Sequence, residues 1–178
     1  MINRFGILMV LLAAMSCGND FEKIKILSEP NSLPVEKGKD IEIMYTNMGI
    51  MKARITAPEI VRFSNEIKNY TEMPAGITVV FYDKQQRPES SLKAGYAIRY
   101  EREKRMVARD NVVLVNQQGD TLRTEELNWD EASQKIHSDK FIRITTQDEI
   151  IMGTGFESNP EFTRYRINQI SGTISLKQ

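Results

Sequence analysis

Short strands that recur at a fixed interval constrain this chain more than any other feature. Met106-Val107-Ala108-Arg109-Asp110-Asn111-Val112-Val113 returns as Lys135-Ile136-His137-Ser138-Asp139-Lys140-Phe141-Ile142, an offset of 29 residues. Ser91-Leu92-Lys93-Ala94 returns as Thr121-Leu122-Arg123-Thr124 and again as Ile150-Ile151-Met152-Gly153. Gly76-Ile77-Thr78-Val79 reads as an earlier copy of Asn111-Val112-Val113-Leu114. A period of roughly 20–50 residues marks units that stack and share one core. Each unit here holds two or three strands, because β-branched and aromatic runs alternate with turns such as Gln118-Gly119-Asp120 and Lys84-Gln85-Gln86-Arg87-Pro88. The expectation is an all-β fold, an open antiparallel sandwich from Asp40 to the C-terminus, with Pro58 to Asn69 read as strand and turn. Aligning Tyr100 with Trp129 needs a one-residue gap near Tyr96, which predicts a β-bulge there.

Before Asp40 the chain has a different character. Arg4 precedes an apolar run from Phe5 to Met15, and Ser16-Cys17 follows. A basic residue, a short apolar stretch and small residues form a secretory signal pattern. Eleven residues rise only about 16 Å as a helix, against about 30 Å of bilayer hydrocarbon. The reading is therefore a signal peptide over 1–16. Ala14-Met15-Ser16-Cys17 resembles the bacterial lipobox, in which the cysteine is acylated after cleavage, with Ala14 where Leu is preferred. That resemblance implies a lipid on Cys17 and a membrane anchor. The bland alternative is an ordinary cleaved signal with an incidental cysteine. Residues 17–39, with Pro30, Pro34 and many polar side chains, read as anchor and flexible linker.

Composition removes most covalent chemistry. Lys plus Arg equals Asp plus Glu at 24 each, so there is no basic excess to attract nucleic acid. One Cys and one His leave no multi-ligand zinc site and no Cys–His dyad within the domain. His137, between Ile136 and Ser138 on a predicted strand, is either a general base or ligand, or a partly exposed strand residue. There is no phosphate loop and no nucleophile elbow. The expectation is no enzyme activity, no metal and no cofactor.

What remains is apolar surface. Leu92, Tyr96 and Ile98 share one face at period two, and the repeat aligns Val113 and Val115 with Ile142 and Ile144. Each of these either fills a closed core or lines a groove, and both roles ask for the same residue type. The runs Ile77–Tyr82 and Val112–Val115 are apolar on both faces, so their phase stays open. At the C-terminus Ile170, Gly172, Ile174 and Leu176 alternate with Ser171, Thr173 and Ser175, an edge strand with one apolar face and no Pro to blunt it.

The anchor, the linker, the tandem strands and the late Gly153-Thr154-Gly155-Phe156 segment, followed by Phe162, Tyr165 and Ile170-Ser171-Gly172-Thr173-Ile174, resemble the LptC family. That family is the periplasmic component of the lipopolysaccharide export ABC transporter. The resemblance runs from about Asp40 to Leu176. It implies a V-shaped β-jellyroll over 40–178 on the periplasmic side of the inner membrane. It also implies an apolar groove for the lipid A acyl chains of lipopolysaccharide, here Leu92, Tyr96, Ile98, Val113, Val115, Ile142 and Ile144. Lipopolysaccharide would arrive from the ABC transporter subunits and leave to a downstream periplasmic jellyroll protein at the edge formed by Ile170, Gly172, Thr173, Ile174 and Leu176. Familiar members hold the membrane by an uncleaved helix; this chain departs from them at Cys17. The reading from another class is a structural or adhesive β-sandwich lipoprotein that binds protein or glycan.

Overall fold

The computed structural model describes Pro34, residues 36–64 and residues 69–176. Eleven strands follow one another there: β1 (Glu36–Asn47), β2 (Ile50–Ser64), β3 (Asn69–Met73), β4 (Ile77–Tyr82), β5 (Pro88–Ala94), β6 (Tyr96–Tyr100), β7 (Arg105–Asn116), β8 (Thr121–Asp130), β9 (Lys135–Thr145), β10 (Glu149–Ser158) and β11 (Tyr165–Ser175). Every pairing is antiparallel, and consecutive strands are mostly neighbours. The sheet order is β11-β10-β9-β8-β7-β5-β4-β2-β3-β6, with β6 also pairing β7 and β1 pairing β2. Strand β1 begins four residues inside the segment read as linker. Glu36–Lys39 have weak strand propensity of their own, but the ladder to Glu59–Arg62 supplies their pairing.

Three of the long strands break register at one level. β7 shifts between Arg109 and Val112, β8 between Thr124 and Asn128, and β10 between Thr154 and Phe156. Shorter pairs do the same by stopping: β3 and β4 meet at Pro74–Gly76, and β5 and β6 meet at Gly95. Left-handed backbone marks this line at Asp40, Gly76, Asp110, Asn111 and Gly155. Gly76, at φ +91°, has no room for a side chain, since a Cβ would sit 2.7 Å from the Ala94 carbonyl oxygen. Bulges bend and twist strands, and a row of them folds one sheet into two facing wings. The first wing holds β3, β6 and the Arg105–Arg109 half of β7. The second holds β4, β5 and the Val112–Asn116 half. The bulge expected near Tyr96 from the repeat falls one residue earlier, at Gly95, as part of this corner.

The core lies inside the fold. Val112, Leu114, Leu122, Ile136, Ile142 and Ile144 are fully buried. Burying each such side chain stabilises by about 1.5–3 kcal/mol. Across the gap, the Phe81 ring meets Trp129 edge-on at 5.8 Å. The buried positions of β7 and β9 match at an offset of 30, with Met106 against Ile136, Ala108 against Ser138, Val112 against Ile142 and Leu114 against Ile144. This corrects the offset of 29. Val112-Val113 and Phe141-Ile142 are both apolar pairs, so a one-residue slip leaves composition unchanged while reversing every side chain.

Candidate functional site

The interior between the wings is the candidate site, and its walls follow from the ladder. One inward row runs Val79–Leu92–Leu114–Leu122–Ile144–Ile151 across six strands. A second, on the other wing, runs Arg99–Met106–Trp129–Ile136. Leu92, Ile142 and Ile144 lie buried on the inner surface. Val113 and Val115 do not. They are half-buried on the outer face, where Val113 pairs with Lys93 and Arg123. Their places inside belong to Val112 and Leu114. Tyr96 and Ile98 are also outside: the break at Gly95 reverses the phase, so Ala97 joins the core instead. Ile98 is buried on the outer face beside Val107, and Tyr96 donates its phenol proton to Glu72. Burial, then the Glu72 charge and this hydrogen bond, push the Tyr96 pKa up to about 12.

The free ends of the wings form the mouth of the fold, and its two parts differ. The loop after β10 closes one part. Phe162 is fully buried, its carbonyl accepts from Asn116 Nδ2 at 3.1 Å, and the Pro160 carbonyl accepts from Ser90 Oγ at 2.9 Å. Beside β1 the mouth holds a cavity of about 140 Å³ walled by Ile43, Tyr45, Ile55, Met73, Met106 and Trp129. Its charged rim is Arg99, which donates to Glu131 through Nε at 2.8 Å and Nη2 at 3.3 Å and pairs with Glu101. The hydrogen bond to Glu131, opposed by partial burial, raises the guanidinium pKa further, so Arg99 stays cationic. Deeper in, between Phe81, Leu92, Ala108 and Leu127, only about 20 Å³ is empty. In this structure the interior is filled by side chains.

Trp129, Tyr45, Phe81 and Arg99 escaped the sequence reading. The repeat aligns Trp129 with Tyr100, whereas the ladder places it in the row of Arg99. Aromatic size at a repeat position otherwise holding medium apolar residues was the available signal.

At the C-terminal edge, β11 pairs only with β10 among the described residues. Ile170, Ile174 and Leu176 are exposed. The single apolar face is broken, however, because the register shifts between Met152 and Gly153. Ile174 then pairs with Ile150 and Ile170 with Gly153, on opposite faces of β10. Gly172 lies between them beside Met152, and Thr173 pairs with Ile151.

His137 sits on the outer face between Asn128 and Glu157. Among the described residues no three His, Cys, Asp or Glu side chains come together as a metal site. Cys17 and the signal segment lie outside the described residues.

A family model described as "Lipopolysaccharide-assembly, LptC-related" matches residues 6–169, most of the chain. No curated protein matches it.

Proposed function

The chain belongs to the LptC-related lipopolysaccharide-assembly family, and on that premise we propose that it carries lipopolysaccharide between its wings. The family is a transport and binding component, periplasmic and linked to the inner membrane. In our reading the protein receives lipopolysaccharide from the inner-membrane ABC transporter and passes it to the next jellyroll. It performs no covalent step. Acyl chains advance over the inner apolar rows as more lipid is pushed in, and the ATP-driven work belongs to another subunit. A lipid on Cys17 holds the protein to the membrane; mass spectrometry of the mature N-terminus reads that group directly.

The observation that carries this reading is the inward row from Val79 to Ile151. It is apolar across six strands, and it runs perpendicular to them between two edge strands, β1 and β11. Because the interior is filled, cargo enters only as the wings part. The apolar walls then exchange side-chain contacts for acyl contacts, so the exchange is nearly neutral in hydrophobic area.

The test is photo-crosslinking in intact cells. A photo-reactive side chain at Ile142 or Ile144 captures lipopolysaccharide, and one at Arg143, on the opposite face of β9, does not. Equal capture from both faces would overturn the proposal.

A further inference from the structure

Trp129 is the only tryptophan of the chain and is 9% exposed. Its Nε1–H is the single buried side-chain polar atom without a hydrogen-bond partner among the described residues. A buried donor left unpaired is costly, and native proteins rarely keep one without a use. Two rings hold the indole in place: Tyr45 at 6.1 Å and 89°, and Phe81 at 5.8 Å and 88°. Of the carboxylates that line this cavity with Trp129, Glu131 takes hydrogen bonds from Arg99 on both oxygens, and Glu101 pairs with Arg99 too.

Trp129 also walls the cavity of about 140 Å³ at the mouth. A void of about that size takes a benzene-sized apolar group. The remaining wall is Ile43, Met44, Tyr45, Ile55, Met73 and Met106, with Thr71, Arg99, Glu101 and Glu131 as its polar part. The site therefore sets Trp129 in a wall of apolar side chains, with Thr71 and the Arg99–Glu131–Glu101 cluster as its polar part. This pattern suits an amphiphile whose polar end carries one oxygen acceptor at the root of a hydrocarbon chain.

We propose that Trp129 Nε1 is a ligand donor that takes the carbonyl oxygen joining an acyl chain to its head group. The hydrocarbon then lies among Ile55, Met73 and Met106, and the head stays at the charged rim. The indole thereby fixes how deep an acyl chain sits and favours acyl over alkyl cargo. This rests on the lipid-carrying reading and deepens it to one chemical group.

The single indole makes the test direct. Full-length protein labelled with ¹⁵N in the indole is titrated with an O-tetradecanoyl glucosamine phosphate, and separately with the O-tetradecyl ether of the same sugar. The ester moves the indole N–H resonance downfield and binds roughly five-fold tighter than the ether, the value of one ordinary hydrogen bond. Trp129→Phe keeps the ring and removes the donor, so it erases the preference while still binding the ether. If that variant does not fold, the ester-against-ether comparison on the native protein decides alone. An unmoved resonance or an unchanged preference, with lipopolysaccharide still captured at Ile144, overturns the donor role and leaves the transport reading standing. Absence of both lipid binding and capture at Ile144 overturns both.

Discussion

Leu114 and Val113 are chain neighbours of similar chemistry, and the fold sends one inward and one outward. Leu114 is fully buried in the core, while Val113 is half-buried opposite Arg123. Truncating a leucine in a filled core costs about 2–5 kcal/mol, because the cavity only partly collapses. Leu114→Ala is therefore expected to lose stability in that range, and Val113→Ala about 1 kcal/mol or less, both read from urea midpoints. A larger loss at Val113 would restore the phase first read from the repeat. The residue types of the core were legible in the sequence, but their phase in β7 was not. Val112 to Val115 offers two apolar faces, and only the neighbours across the ladder choose between them. Tyr96 carries a second expectation at this scale. Its pKa is raised in the fold to about 12, against about 10 for an unfolded tyrosine. A raised pKa gives stability that is complete below about pH 10 and is lost as pH climbs from there toward 12. Denaturation at rising pH is expected to show this decline, and Tyr96→Phe to flatten it. An equally steep decline in the variant would assign the effect to other groups, such as Tyr70, whose pKa is also raised by burial and then by Glu72.

Among the elements, β11 shows how far strand patterns carry. Among the described residues it pairs only with β10, and its existence follows from alternation. The slip at Met152/Gly153 does not, because a bulge is set by the partner strand as much as by the strand itself. The same holds for the corner: Asp110 and Asn111 read as ordinary polar residues, yet both adopt left-handed backbone that lets β7 serve two wings. Hydrogen bonding along β11 sharpens its role. Leu176 N–H bonds to the Asp148 carbonyl at 2.7 Å. Residues bonded to a neighbour alternate along an antiparallel ladder, so Ile174 and Gly172 face β10 while Thr173 and Ser175 turn their N–H and C=O groups outward. Outward groups on an edge strand are a template for another strand. Thr173→Pro removes one outward donor without taking a bond from β10. The variant is expected to stay folded and to accept lipopolysaccharide, but to lose capture of the proposed downstream jellyroll partner in pull-downs. Unchanged capture by a folded variant would place that junction elsewhere, with β1 the next candidate.

At the scale of the whole molecule, the proposed cargo is larger than the two voids found between the wings. About 140 Å³ at the mouth and about 20 Å³ deeper in admit part of one chain at most, so the wings must part, and the fold is not equally tied along its mouth. On the side of β5 and β7, the loop around Phe162 bridges the wings with two hydrogen bonds of 2.9 and 3.1 Å. On the side of β1, the bridge is the edge-on contact of Tyr45 with Trp129, and Ile43 and Met44 already stand 40% and 64% exposed. β1 is also an edge strand with a single partner among the described residues. Local opening has its lowest free energy where buried contacts and backbone pairing are fewest, which selects β1 as the moving wall and β7 to β9 as the fixed one. Hydrogen exchange read by mass spectrometry is the direct measure. With lipid A added, amides of Ile41–Asn47 are expected to lose protection or change their pattern, while Val112–Asn116 and Phe141–Thr145 keep theirs. If protection instead falls around Asn159–Arg164 and β1 stays unchanged, lipid enters past the Phe162 loop, and the cavity beside Trp129 lies at the closed end of the path.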